Sequence, residues 1–341
     1  MLPGDHADLP PFLPPTPDGV AHAAELLRAG EVVALPTETV YGLAGNALDE
    51  KAVRYIFSVK GRPLLDPLIV HGLDFEFLAD VASFTPLAYR LAAACWPGPL
   101  TLVLRKQPAV SHLITAGRDT VAVRAPAHPV MRAVLAASAL PLAAPSANPF
   151  GYISPTCAEH VRASFGGRLP WILDGGPCAV GLESTIVDVS DPTQPPRVLR
   201  PGPITPDALA SILGQPVTSA SPATDTKTPG LAAPGLLARH YSPRTPLSLL
   251  EAGVPPASPL VGRRNAWIRF NAPGRVEETP ARTEVFWLSE TGDLAQAARG
   301  LYELLRRLDP AGFEKIWCER APETGWGLAL NDRLRRAAGL G

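Results

Sequence analysis

Along the N-terminal two-thirds of the chain, short apolar runs alternate with segments of helical period, and several runs close on a polar or charged side chain. "EVVALP", "PLIVH", "LTLVL", "TVAVR", "PLAAPSAN", "WILDGG", "STIVDV" and "RVLRPG" read as strands. Helices are predicted from Asp18 as N-cap to Arg28, from Asp49 as cap to about Lys60, from Pro86 to Trp96, after Pro129 and over 156–165. This interleaving, with some strands adjacent in sequence, specifies an α/β domain with a mixed sheet. Between Gly202 and Arg239 the pattern breaks into a stretch rich in Pro, Ser, Thr, Ala and Gly, a linker composition. Beyond it, "PLSLL", "AWIRF", "EVFWLS" and "KIWCE", with helices over Asp293–Leu308 and near Asn331–Ala338, predict a smaller second α/β domain.

Composition narrows the function classes. A chain of 341 residues is long enough for two cores. No apolar run approaches the roughly 20 residues a membrane-spanning helix needs. The first residues lack a basic region followed by an apolar one, so no secretory signal is read and a cytoplasmic protein is expected. The four cysteines form no CxxC pair, which removes zinc-ribbon and thioredoxin-like spacings. With a formal net charge of −1, binding to nucleic acid would need a local basic patch. Lysines number only 5 against 26 arginines, which makes each lysine worth locating.

Polar groups at strand ends are where α/β sheets commonly hold ligands. "LPTETVYGLAG" sets Thr37, Glu38, Thr39 and Tyr41 after a strand and is read as a loop turning on Gly42 and Gly45. "KGRPLLDPLIVH" carries Lys60 and Arg62 at a helix end and His71 at a strand end. Taken alone, that Lys-x-Arg is read as a solvated pair complementing the helix dipole, and His71 as a core histidine. Arg124 interrupts an apolar strand, so its charge must reach solvent or an anion. Ser146, Ser154, Thr156, Ser184 and Arg200 add hydroxyls and a cation at further loop or strand ends. Together they outline one cavity for an anionic substrate whose hydroxyls are read. No P-loop, dinucleotide fingerprint, nucleophile elbow or zinc-protease motif is present in the sequence.

In order, "PTETVYGL", "KGRPLLDPLIVH", "WPGPLTLVL", "VAVRAPAHP", "PLAAPSAN", "GLESTIVDV" and "LRPG" resemble the threonylcarbamoyl-AMP synthase family, whose catalytic unit is the YrdC-like domain. "RHYSP" is similar to the segment that, in the long two-domain form, reaches back over the active site. The resemblance implies a leader over 1–17, a YrdC-like α/β domain with a twisted mixed sheet over 18–206, a linker with the HYSP segment over 207–244, and a smaller Rossmann-like α/β domain over 245–341. It implies a nucleotidyltransferase that joins L-threonine, bicarbonate (or CO2) and ATP, with Mg²⁺ arriving on the nucleotide, into L-threonylcarbamoyl-AMP and pyrophosphate. The product would feed the transferase machinery that modifies the tRNA adenosine next to the anticodon.

Position by position, Thr39, His71, Arg124, Ala144 and Ser184 match L-threonine-binding positions. Arg62, Asp66, Thr120, Ser146, Ser154, Arg200 and Tyr241 match ATP-binding positions, and Lys60 matches a basic residue expected beside the phosphates. No resident metal site is implied. Arg124 is expected to grip the threonine carboxylate with its planar fork. Asp66 stands where the family more often has asparagine, and a carboxylate there requires Mg²⁺ or a basic partner. The linker and second domain are expected to act as a lid, with Tyr241 closing over ATP. A YrdC-like protein that holds RNA without synthase activity, and a carbamoyl-adenylate enzyme of the hydrogenase-maturation type, are the alternatives. The latter would bring acylphosphatase and CxxC-rich segments that this sequence lacks.

Overall fold

Local chemistry accounts for where the elements begin and end. The computed structural model describes residues 12–169, 171–219, 231–256, 263–272 and 282–340; residues 1–11 of the leader and 220–230 of the linker lie outside the described residues. Helix α1 (Pro17–Arg28) is capped by Thr16, whose hydroxyl accepts from the Gly19 amide at 3.3 Å, and not by Asp18. Pro17 explains the difference: it occupies the first turn, where its missing N–H costs nothing, and the cap moves to the residue before it. β1 (Val33–Leu35) and β2 (Gly42–Asn46) follow, then α2 (Glu50–Lys60), capped by Asp49 and stopped by Gly61 at φ 62°. The remaining elements of this part are β3 (Ile69–His71), β4 (Ala82–Ser83), α3 (Pro86–Cys95), β5 (Leu100–Lys106), α4 (His112–Thr115) and β6 (Thr120–Arg124). After them come α5 (Pro129–Ser138), β7 (Leu142–Ala143), α6 (Ala158–Phe165), β8 (Thr185–Asp188), β9 (Arg197–Arg200), α7 (Pro206–Leu213) and β10 (Thr218–Ser219).

These strands form one mixed sheet in the order β1-β2-β7-β3-β6-β5-β8-β9-β10, with β4 against β5. The segment "GLAG" is not a turn but strand β2, antiparallel to both β1 and β7. Its glycines serve close approach: a Cβ on Gly42 would lie 3.1 Å from the Ala144 Cβ, and one on Gly45 3.2 Å from Ile56. "WILDGG" contributes isolated bridges, Ala34 to Ile172 and Leu13 to Leu173, in place of a strand. Helix α7 and β10, which fall in the stretch read as linker, belong to this sheet and its core through Leu209, Leu213 and the β9–β10 pairing.

Register brings the functional ends to one edge. β3 and β6 run parallel and pair His71 with Arg124. β5 returns antiparallel to β6, and β8 lies parallel to β5, pairing Leu100 with Thr185. β9 is antiparallel to β8 and ends at Arg200 opposite Ile186. His71, Arg124, Ser184 and Arg200 therefore meet although they are far apart in sequence.

The second part is an all-parallel sheet of β11 (Leu247–Leu250), β12 (Asn265–Asn271), β13 (Thr283–Ser289) and β14 (Lys315–Glu319), in the order β11-β14-β12-β13, with α8 (Leu294–Leu308) and α9 (Trp326–Ala337). Its core takes in Val40, Ile153 and Leu182 of the larger part beside its own Ile268, Leu301 and Leu330.

Candidate active site

The shared strand edge opens into a cavity of about 50 Å³. Its wall includes Thr39, His71, Arg124, Ala144 and Ser184, every residue matched to threonine binding, together with Arg62, Ser146, Arg200 and Tyr241 of the nucleotide set. The other four expected residues do not line it. Lys60, Asp66 and Ser154 are buried behind the wall, and Thr120 sits at the opposite end of β6, paired with Arg105. Four residues of strand separate Thr120 from Arg124 by roughly 13 Å, too far for a side chain to bridge.

Three guanidiniums face the cavity, and their existing partners define what each can still do. Arg124 donates Nε to the Gly98 carbonyl at 3.1 Å and Nη1 to the Thr39 hydroxyl at 3.0 Å, while Nη2 lies 2.7 Å from Glu38. Nη2 makes no hydrogen bond among the described residues despite that ion pair, so one donor of the fork stays uncommitted. Arg124 also fixes Thr39, whose hydroxyl meets that of Thr37 at 2.8 Å. Arg200 gives Nε and Nη2 to the Ser184 carbonyl at 3.2 and 3.0 Å, and Nη1 to the Pro234 carbonyl at 3.2 Å. Arg62 holds the Asp66 and Pro67 carbonyls at 3.1 and 2.7 Å and pairs with the Asp66 carboxylate at 2.9 Å. Its Nη1 carries no hydrogen bond among the described residues, which leaves one cationic donor toward the cavity.

The basic partner required by Asp66 is thus Arg62, i,i+4 across the turn after α2. Burial pushes the Asp66 carboxyl up, opposed by Arg62 and Lys60. Lys60 is already held by two backbone carbonyls. Its amine donates to the carbonyls of Ser146 and Asn148, both at 2.5 Å, beneath the loop that carries Ser146. Burial and the neighbouring Arg62 hold its pKa well below the ordinary lysine range.

Two histidines are neutral here. Burial, reinforced by Arg124, pushes His71 down to about 3. His240 is held well below the usual range by burial and by Arg62, Lys60, Arg200 and Arg336. So many cations around uncharged imidazoles make a site electrostatically suited to an anion. Tyr241, at φ 60°, is buried with its hydroxyl unpaired, and Gly235 leaves it room: a Cβ there would lie 2.4 Å from that oxygen. Among the described residues, those that line the cavity after Arg200 are Pro234, Gly235, His240 and Tyr241 of the segment following the linker.

Sequence reasoning left several wall or support residues unassigned. Glu38 and Glu183 stood inside quoted motifs without a role, and Pro234, Gly235 and His240 follow the linker. Among the described residues no group of three or more His, Cys, Asp or Glu side chains that could hold a metal ion is found.

The family model described as "Telomere recombination" matches residues 25–202, and the one described as "Threonylcarbamoyl-AMP synthase, C-terminal domain" matches 204–339. The threonylcarbamoyl-AMP synthase of Pyrococcus abyssi is 42% identical over 93% of each chain. That of Bacillus subtilis is 41% identical over 94% of this chain and 93% of its own. The crystal structure of P. abyssi Sua5 complexed with L-threonine is 38% identical, superposes with a TM-score of 0.83 and covers 94% of both chains.

Proposed function

The chain belongs to the threonylcarbamoyl-AMP synthase family in its two-domain form, and from that premise we propose that its cavity makes L-threonylcarbamoyl-AMP from L-threonine, bicarbonate or CO2, and Mg²⁺-ATP. The observation that carries the site assignment is the convergence of nine expected ligand positions on one strand edge, with Arg62 keeping a donor free.

The threonine amine adds to the carbon of CO2, or to bicarbonate with loss of water, and forms an N-carboxylate. One oxygen of that carboxylate attacks the α-phosphorus. The bond from that phosphorus to the bridging oxygen breaks, and pyrophosphate leaves with the electron pair. Such transfers require alignment and charge neutralisation more than a covalent partner. Thr39, oriented by Arg124, and Ser184, whose hydroxyl meets Thr101 at 2.7 Å, supply polar contacts to the amino acid. The neutral His71 offers a ring nitrogen without adding charge. Arg62 and Arg200 face the phosphates, Ser146 donates from a loop held by Lys60, and Tyr241 closes the nucleotide side. Asp66 and Ser154 act behind the wall as supports, and Thr120 has no part in this scheme. Mg²⁺ enters with ATP and shields the leaving pyrophosphate.

The product carries an activated carbamoyl group, the donor for modification of the tRNA adenosine next to the anticodon, and a cytoplasmic transferase is its consumer in this reading. No helix among the described residues is long and apolar enough to cross a membrane. The test is pyrophosphate release with ATP, Mg²⁺ and bicarbonate, comparing L-threonine, L-serine and no amino acid. Release that needs both threonine and bicarbonate is expected; none, from folded protein, would favour the RNA-binding alternative.

A further inference from the structure

Glu183 occupies the cavity wall directly before Ser184, yet its carboxylate points away toward the second domain. Oε1 accepts from the Ser154 hydroxyl at 2.6 Å, and Oε2 accepts from the Tyr302 hydroxyl and from Arg333 Nε, both at 2.9 Å. Arg333 reaches further: its Nη2 donates to the Glu183 main-chain carbonyl at 3.3 Å, and its Nη1 pairs with Asp332 at 2.6 Å. The next carbonyl along, that of Ser184, is held from the cavity side by Arg200. Two guanidiniums, one from each domain, thus grip consecutive carbonyls of the same stretch of wall. Arg333 also lies 5.4 Å over the Tyr241 ring, which stacks on Tyr302 at 5.9 Å. All of this is dry: Arg333 is 1% exposed and Tyr241 1%.

We infer that Arg333 of α9 is a positioning residue for the active site, through which the second domain sets the Glu183–Ser184 peptide and keeps the Glu183 charge out of the cavity. The inference rests on the synthase reading above. Without the guanidinium, a buried carboxylate at the wall loses its main compensating charge, and it does so beside the space an anionic nucleotide would fill. The second domain then contributes chemistry by bracing the wall from behind.

The experiment is a double-mutant cycle of Glu183→Gln and Arg333→Met in the full chain, read by pyrophosphate release at varied ATP and by thermal melting. R333M is expected to lower kcat/KM for ATP about 30-fold, mostly as a higher KM. In E183Q/R333M, where the carboxylate is an uncharged amide of the same shape, the value should return to within about fivefold of E183Q alone. Additive losses in the double variant, or an R333M that melts lower but keeps the parent kinetic constants below its melting temperature, would overturn the inference. Should R333M not fold, Arg333→Lys carries the test. Lysine keeps the charge and one contact, and a KM for ATP raised about fivefold is expected, while an unchanged one refutes the role. A parent chain that releases no pyrophosphate overturns the synthase reading itself and this inference with it.

Discussion

Replacing Lys60 by methionine separates two accounts of that residue. The methionine fills the space of the lysine stem, so no large cavity opens. What is lost is a pair of donors: the amine holds the Ser146 and Asn148 carbonyls, each at 2.5 Å, and the side chain is 3% exposed. A neutral amine retains two N–H groups, enough for both bonds, so the depressed pKa does not weaken them. At about 1.5 kcal/mol for each bond, with the Asn148 carbonyl left unpaired while Ser146 keeps its bond from the Asn148 amide at 3.0 Å, K60M should destabilise the fold by about 3 kcal/mol. In a domain of this size that corresponds to a melting temperature lower by about 6 to 12 °C. Because the freed loop carries Ser146, kcat/KM should fall about a hundredfold as that hydroxyl drifts. Scanning fluorimetry and pyrophosphate release measure both. A variant that melts with the parent and shows only a raised KM for ATP would refute the support role and return Lys60 to the phosphates.

Three further expectations follow from other contacts. Gly235→Ala places a methyl 2.4 Å from the Tyr241 hydroxyl at φ +76°, so it should displace the ring and raise the KM for ATP about tenfold or more; a KM unchanged within error would remove Tyr241 from the nucleotide side. Asp66→Asn keeps the shape while unmasking Arg62, so the chain should lose about 2 kcal/mol of stability yet bind ATP no more weakly, as titration calorimetry can check. For pH, His71 titrates at about 3 in the fold against an ordinary value of 6.5, so the unfolded chain binds the extra proton between those limits. Stability is then complete above pH 6.5 and falls by about 1.4 kcal/mol per unit toward pH 3 for this residue alone. Urea titrations at several pH values should show His71→Gln with a shallower acid slope, and equal slopes would contradict a buried neutral imidazole.

Much of this molecule was legible in its sequence because periodicity and caps are local. Asp49 caps the helix that it was expected to cap, and the four strands of the second domain lie where their apolar runs stand. Strand β2 escaped because Gly42 and Gly45 look like turn residues, when their lack of a side chain answers neighbours that approach from other strands. Lys60 and Arg62 mark the site but not their own roles, since spacing at a helix end cannot reveal that carbonyls 86 and 88 residues away descend on the amine. The same holds for Arg124, which donates to Thr39 from 85 residues away, and for Arg333, which meets Glu183 across 150. Motif order located the cavity; only tertiary contacts could say which groups face it and which stand behind.

The core of the second domain is not wholly its own, since Val40, Ile153 and Leu182 of the larger domain are packed into it beside Leu301, Tyr302 and Leu330. Val40 itself lines the cavity, and Leu182 sits one residue from Glu183, which also lines it. Because the two parts share this cluster, calorimetry of the full chain should record a single endotherm. Cutting the chain after Ser219 would expose the apolar face of Val40, Ile153 and Leu182 at the back of the larger part's own active site.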